Sequence, residues 1–253
     1  MEEKTLLITG TSSGLGEALA TWALDQGHRV IAVSRRGNER LAAHPSYREE
    51  RCDLTDASLA ARAICDLVAT LDPRASTAAK LDLAVLNAGI LSRFGDMVDA
   101  DLHELEAVLR INVLANQTVL QTLARSASMP ARVVAISSGA AVNGRRGWGG
   151  YALSKAALNM LVQLWARERP ATHFCALAPG LVDTAMQDEL CALAPDERFS
   201  SLDFLRSARH TKDMPAPHEA AALIGPLCFE LERHCESGGF VDVRALERDH
   251  LQS

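Results

Sequence analysis

Short runs of Leu, Ile and Val, separated by longer stretches with helical spacing, narrow what this chain can become more than any other feature. The runs lie at residues 4–9, 29–34, 81–87, 132–137 and 172–178. Each is too continuously apolar to present a wet face, which is the pattern of a parallel strand covered on both sides. Amphipathic helical stretches fill the gaps at about 14–26, 56–71, 101–125 and 149–168, several opened by a polar residue and closed by Gly or Pro. The alternation predicts a Rossmann-type, doubly wound α/β sheet with helices on both faces. A weaker strand at 47–51, a helix at 218–233 and a last strand at 240–243 bring the sheet to about seven strands. No repeat, low-complexity tract or linker divides the chain, so a single domain is expected over 1–253. Residues 186–217 break the rhythm, mixing charges with Phe199, Leu202, Phe204 and Leu205 and holding Pro195, Pro215 and Pro217. The stretch is too long for a plain connector. It reads either as a variable surface excursion with a short helix or, because it follows the carboxyl end of the sixth strand, as a substrate lid. The lid is the expectation.

Composition removes several classes of function. The 253 residues carry 26 Lys and Arg against 32 Asp and Glu, a net charge of −6. A phosphate backbone is held by a basic surface, so no nucleic-acid partner is expected. With 48% hydrophobic and 23% charged residues, the chain can bury a sizeable core and does not have the composition of a disordered segment. No apolar stretch approaches the ~18 residues that suggest a membrane span. The amino terminus runs from Met1 straight into a short apolar segment, so neither a membrane partner nor a signal peptide is expected. Cys52, Cys65, Cys175, Cys191, Cys228 and Cys235 include no Cys-x-x-Cys pair and no zinc spacing. They read as free thiols of a reducing cytoplasm, each a small buried hydrophobe rather than a nucleophile or ligand. The eight His residues show no metal spacing either, and no metal site is expected.

The sequence TGTSSGLG, Thr9 to Gly16, sets Gly10, Gly14 and Gly16 in the turn between the first strand and the first helix. Glycine suits such a turn because the backbone must bend sharply, approach a pyrophosphate with no Cβ in the way and let the helix pack closely. The helix amino terminus adds N–H donors and a positive dipole end. A dinucleotide cradle including Ser12, Ser13 and Leu15 is the functional reading; a tight turn built of Gly and Ser for structural reasons is the plain one. A common NAD-binding pattern ends the second strand with an acid that binds the adenosine ribose. Here the chain reads Ser34-Arg35-Arg36. A carboxylate would repel a 2′-phosphate, whereas a hydroxyl and two guanidiniums offer donors and charge, so NADP(H) is the expected cofactor.

Tyr151 and Lys155 stand four apart in GYALSKAALNML and therefore share a helix face. A phenol titrating near ~10 needs a nearby cation to do acid–base work at neutral pH, and Lys155 is that cation. Ser138 ends the strand VVAISS on the sheet edge where α/β ligands bind, its hydroxyl free to hold a substrate carbonyl. Taken singly, the pair is a chance helix-surface spacing and the serine a cap; their joint occurrence points to catalysis.

These residues resemble the short-chain dehydrogenase/reductase family, whose pattern runs along nearly the whole chain. The match takes in TGTSSGLG, CDLTD around Asp53, NAGI at 87–90, INVLAN with Asn112, SSGA with Ser138, YALSK, and APGLVDTAM at 178–186. The resemblance implies a tetrad of Asn112, Ser138, Tyr151 and Lys155. Tyr151 would be the general acid, Lys155 would hold the nicotinamide ribose and lower the tyrosine pKa, Ser138 would orient the carbonyl, and Asn112 would support a proton-relaying water. Asp53, with Leu54, would bind the adenine, and Asn87, Ala88 and Gly89 would line the adenosine ribose. Pro179, Gly180, Val182 and Thr184 would close over the nicotinamide carboxamide. The family also implies a homodimer or homotetramer joined through the helices at 101–125 and 149–168.

Within the family, SRRGNE, GWGGYALSKAALNM and APGLVDTAMQDEL resemble the branch of sepiapterin reductase and bacterial benzil reductases, which reduces ketones and vicinal diketones with NADPH. One departure is Ser13, where relatives often carry a basic residue, so the arginines must carry most of the 2′-phosphate contact. Trp148 and Met186 flank catalytic positions and are candidate pocket walls, with ordinary core packing as the alternative. Asp242 matches the position where sepiapterin reductase anchors its pterin, although an acid after the last strand is frequent across the family. The expected activity is NADPH-dependent reduction of a small carbonyl compound. The alternatives are an NAD(P)-dependent alcohol dehydrogenase working oxidatively and a non-catalytic dinucleotide sensor.

Overall fold

The computed structural model describes residues 2–71 and 81–250, with side chains to 246. Its strands are β1 Thr5–Thr9, β2 Arg29–Ser34, β3 Tyr47–Arg51, β4 Leu83–Leu86, β5 Arg132–Ile136, β6 His173–Ala178 and β7 Gly239–Asp242. They form one seven-stranded sheet in the order β3-β2-β1-β4-β5-β6-β7, every pair parallel. The helices are α1 Gly14–Asp25, α2 Glu39–Ala42, α3 Ala57–Ala69, α4 Leu102–Leu109, α5 Ala115–Arg125, α6 Gly149–Glu168, α7 Ala185–Cys191, α8 Ser200–Ala208, α9 Pro217–Leu227 and α10 Val243–His250.

Side chains alternate across the strands, as period two requires. Leu6 and Ile8 join a core with α1 and α9, while Leu7 between them joins another with α3, α5 and α6. Both sheet faces are therefore dry, which is why the strands read as unbroken apolar runs. Each fully buried Leu or Ile contributes ~2 kcal/mol. The exception is β3 at the sheet edge, where only Tyr47 is buried and the remaining residues are charged.

Asp56 caps α3 by accepting from the Ser58 and Leu59 amides, and Asp101 caps α4 through the His103 amide. Ser13, the corresponding residue of α1, makes no such bond. The first-turn N–H groups of α1 thus remain available to a ligand. Gly16 is fixed by crowding: a Cβ there would overlap both the Asn87 side-chain amide and the Gly10 carbonyl oxygen. Gly16→Ala is expected to cost ~2 kcal/mol by overpacking against a backbone atom that cannot yield. Thermal unfolding of the variant, expected about 5 °C lower, checks this; an unchanged midpoint would mean that the turn relaxes freely.

Three of the expected segments take a different form, and α2 and α10 were not expected at all. The single helix expected at 101–125 is two, joined by a π-helical turn at Arg110–Leu114. The Asn116 side-chain amide there donates to the Asn112 carbonyl. Residues 186–217 carry parts of two helices, α7 and α8, not one short helix. Their Leu190, Phe199, Leu202, Leu205, Ala208 and Met214 form a small core of their own. The helix expected at 218–233 ends at Leu227, and Leu231–Arg233 is a separate 3-10 turn. Among the described residues no helix is long and apolar enough to cross a membrane, and no group of three or more His, Cys, Asp or Glu is arranged to hold a metal.

Candidate active site

The strand order reverses between β1 and β4, and ligands of open α/β sheets bind outside the strand ends at such a point. The two exits are stitched together there. Thr9 Oγ1 accepts from the Asn87 and Ala88 amides, both at 3.0 Å, and Asn87 Nδ2 donates to the Thr9 and Gly10 carbonyls at 2.9 and 3.2 Å. A Cβ on Gly10 would come within 2.9 Å of Ala88 Cα, and Gly10 and Gly14 hold φ of 76° and 64°. Any other residue would fill this hollow or strain it. The loop after β6 comes to the same place, with Thr184 Cγ2 3.4 Å from where a Gly14 Cβ would lie. The glycine turn, Asn87, Ala88 and Thr184 thus converge on the open end of α1. Its glycine-lined hollow and free N–H groups fit a pyrophosphate. Val182 and Leu54 point into the protein, 6% and 5% exposed.

At the end of β2 the arrangement differs from the one expected. The Ser34 hydroxyl is buried and donates to Glu49 at 2.8 Å while accepting from the Gly37 amide. Its one proton is thus committed to a carboxylate. Glu49 also accepts from Tyr47, Thr11 and the Asn38 amide, a knot the sequence reading missed. Tyr47 and Glu49 share one face of β3 because they are two apart, and that spacing was the available signal. Burial pushes the Tyr47 phenol far up. Donors at this corner come from the arginines. Arg36 reaches back over the glycine turn, donating to Ser12 Oγ and Ser13 Oγ at 3.3 and 3.2 Å. Its guanidinium therefore lies beside Ser13. Arg51, also missed, lies against Gly37. Asp53 is held by the Thr55 amide and hydroxyl, which lower its pKa, and the Arg35 charge acts in the same direction.

The tetrad residues meet at the carboxyl ends of β4 and β5. The Ser92 hydroxyl accepts from the Tyr151 amide at 2.9 Å, fixing the first turn of α6. Lys155 Nζ donates to the Ile136 carbonyl at 2.7 Å. A Cβ on Gly89 would stand 3.6 Å from that ammonium and 3.0 Å from Asn112 Oδ1, so Gly89 leaves room for both. The Asn112 side chain is fully buried in the π-turn. Its Oδ1 accepts from the Ile90 amide and its Nδ2 donates to the Ile90 carbonyl and Ser154 Oγ, bracing the β4 exit against α6.

Burial pushes the Tyr151 phenol up to about 12, opposed by a hydrogen bond with Ser138. Lys155 Nζ lies 5.6 Å from the Tyr151 ring centre, and burial, rather than the ammonium, sets the direction of the phenol's shift. Burial also pulls Lys155 down to about 8.

Trp148 packs beside Tyr151 and edge-on to Phe94, with ring centres 5.9 and 5.4 Å apart, and donates to Ser201 Oγ of α8. Phe199 extends this wall at 5.1 Å from Phe94. The sequence reading did not single out Phe94 and noted Phe199 only as part of the 186–217 stretch, not as a wall beside Tyr151. Met186 is half-buried on α7. Asp242 is clamped by Arg244, whose side chain donates to both carboxylate oxygens at 3.1 and 2.7 Å. The same guanidinium borders Gly139 and its side chain borders Gly180.

Comparisons with known proteins bear on this geometry. The sequence pattern described as short chain dehydrogenase matches residues 4–193. An uncharacterized oxidoreductase of Schizosaccharomyces pombe is 35% identical over 235 residues, 90% of this chain and 91% of its own. A benzil reductase ((S)-benzoin forming) of Bacillus cereus is 30% identical, covering 87% of this chain and 91% of its own. Sepiapterin reductase of Bos taurus is 31% identical, with 79% and 81% covered. Among solved structures, the KRED1-Pglu enzyme superposes with a TM-score of 0.79 at 26% identity over 94% of this chain and 100% of its own. A short chain dehydrogenase from Burkholderia cenocepacia J2315 in complex with NADP reaches 0.74 at 26% identity, over 94% and 95%. A 3-ketoacyl-(acyl-carrier-protein) reductase from Brucella melitensis complexed with NADH shares the fold, with a TM-score of 0.77 at 21% identity over 96% and 97%.

Proposed function

Since the chain belongs to the short-chain dehydrogenase family and is an oxidoreductase acting between CH–OH and C=O groups, we propose that it reduces a small ketone or vicinal diketone with NADPH. The observation that carries this reading is the convergence of Ser138, Tyr151 and Lys155 beside an aromatic wall, at the edge where the glycine hollow opens. When bound, the reduced nicotinamide supplies a hydride to the carbonyl carbon. Ser138 holds the carbonyl oxygen, and Tyr151 gives it a proton. A phenol raised to about 12 stays protonated at neutral pH and is loaded for this direction. Lys155 holds the nicotinamide ribose and Asn112 steadies the α6 face behind it. Arg36 and Arg35 take the 2′-phosphate, with Ser34 serving the turn rather than the phosphate.

The wall of Trp148, Phe94 and Phe199 suits an aryl ketone or diketone. The Asp242 carboxylate is already occupied by a guanidinium, and the 2-aminopyrimidinone edge of a pterin would have to displace it. This favours a benzil-like substrate over sepiapterin. Exposed Leu114 at the end of the π-turn before α5 and Leu153, Met160 and Leu164 along α6 support a homo-oligomer through these helices, and the lid reading rests on the packing of α7 and α8 against Trp148 and Phe94. The test follows absorbance of NADPH, and separately NADH, with aromatic diketones, simple ketones, quinones and sepiapterin. Rapid NADPH oxidation with a diketone, slower with sepiapterin, is the expected result. Tight NADPH binding without turnover on any carbonyl would overturn the reading.

A further inference from the structure

The thiols of Cys175 and Cys235 face each other away from the carboxyl edge of the sheet where this chemistry sits. Cys175 is the third residue of β6, three residues or ~10 Å along the strand from Ala178 at the cofactor edge. Its sulfur is fully buried and lies 3.7 Å from Cys235 Sγ, although the two residues are 60 apart in sequence. Cys235 Sγ also lies 3.9 Å from His173 Nε2. The turn carrying Cys235 is pinned to β6 from the other side: Ser237 Oγ accepts from the Phe174 amide at 3.0 Å and the Gly238 amide donates to the Phe174 carbonyl at 2.7 Å. Gly239 is crowded by Cys235, with a Cβ there only 2.8 Å from the cysteine Cβ. Cys235 is half-buried and so can be reached from solvent, while Cys175 cannot.

We propose that Cys235 and Cys175 are a hydroperoxide-reactive dithiol, with Cys235 as the attacking sulfur, Cys175 as the resolving one and His173 as the imidazole that sits against the attacking sulfur. The Cys235 thiolate attacks one oxygen of hydrogen peroxide; the S–O bond forms, the O–O bond breaks and the departing hydroxide takes a proton to leave as water. Cys175 then attacks the Cys235 sulfenic sulfur. The S–S bond forms, the S–O bond breaks and the hydroxyl leaves as a second water with the Cys175 proton. Two thiols lose two electrons and one peroxide becomes two waters. The sulfurs must close from 3.7 Å to about 2.05 Å, a movement within reach of side-chain rotation. The chemistry agrees with the local electrostatics. The contact with Cys175, then the imidazole, pull the Cys235 thiol below its ordinary range, and the same contact together with burial pushes Cys175 up. The disulfide closes a loop containing α7, α8, α9 and the segment after β6, so oxidation ties the base of the proposed lid.

The test treats reduced, folded protein with equimolar hydrogen peroxide at pH 7, blocks remaining thiols with iodoacetamide and maps peptides without reduction. The expected product is one cross-linked pair joining the Cys175 and Cys235 peptides, two hydrogens lighter than their sum and reversed by dithiothreitol. Cys52 and Cys228 stay reduced. In C175S, the Cys235 sulfenic acid persists and is trapped by dimedone. In the untreated protein, alkylation of Cys235 has its midpoint below the ~8.5 of a free thiol, and H173Q moves that midpoint upward. Oxidation confined to exposed Cys65, or an intact Cys235 thiol after excess peroxide, would reduce the pair to ordinary packing. Because the wild-type map requires no substitution, the result stands even if a cysteine variant misfolds.

Discussion

Tyr151→Phe is expected to lower kcat for carbonyl reduction by about 10³-fold, or ~4 kcal/mol of barrier, while leaving the fold and cofactor affinity in place. The ring fills the same space beside Trp148, and what disappears is the hydroxyl that meets Ser138. The pH profile separates the acid from its helper. Reduction needs Tyr151 protonated and Lys155 charged; the phenol stays protonated up to about 12, whereas the ammonium is lost on passing about 8. The kcat/KM for the cofactor reports groups of the free enzyme, and it should therefore fall as pH rises through 8. Y151F keeps that alkaline limb at a lower level, and K155M lacks it. Single-turnover rates of Y151F near those of the wild type would remove Tyr151 from the reaction.

These residues were legible before the fold was known because their chemistry is local. Tyr151 and Lys155 declare a shared face by spacing alone, the α6 span read from periodicity is the one observed, and Gly10 and Gly16 mark a turn that no other residue could make. Residues whose role depends on pairing between distant segments were silent. Glu49 matters because β3 lies parallel to β2, which brings its carboxylate to Ser34. On the edge strand itself it reads as one more solvated charge. The π-turn at Asn112 is held by Ile90 and by Ser154 of α6, so the sequence of 101–125 looked like one helix. Asp242 was noticed, but its ion pair was not. Its partner Arg244, two residues on, is the second residue of α10, and only the turn out of β7 folds the guanidinium back onto the carboxylate. The thiol pair shows the same limit, since Cys175 and Cys235 meet only through the β6–β7 pairing.

Arg36 offers the sharpest test of cofactor choice because the sequence alone left it as one of two arginines at a loop start. Its guanidinium spans to Ser12 and Ser13 at the open end of α1, while the Arg35 charge acts on Asp53 after β3. Arg36 is therefore the nearer candidate for a 2′-phosphate, and Arg35 the auxiliary. Charge reversal removes a charge-assisted fork and adds repulsion beside the carboxylate already at Glu49. Loss of one partner of such a pair costs ~3 kcal/mol. Arg36→Glu is thus expected to raise the KM for NADPH by about 10²-fold, with the KM for NADH changed no more than about threefold and the unfolding midpoint unchanged. Arg36→Lys keeps the charge without the planar fork, and its NADPH affinity should fall between the two. A ratio of NADPH to NADH efficiency that stays the same in both variants would show that the 2′-phosphate is held elsewhere, and Arg51 beside Gly37 would become the residue to change.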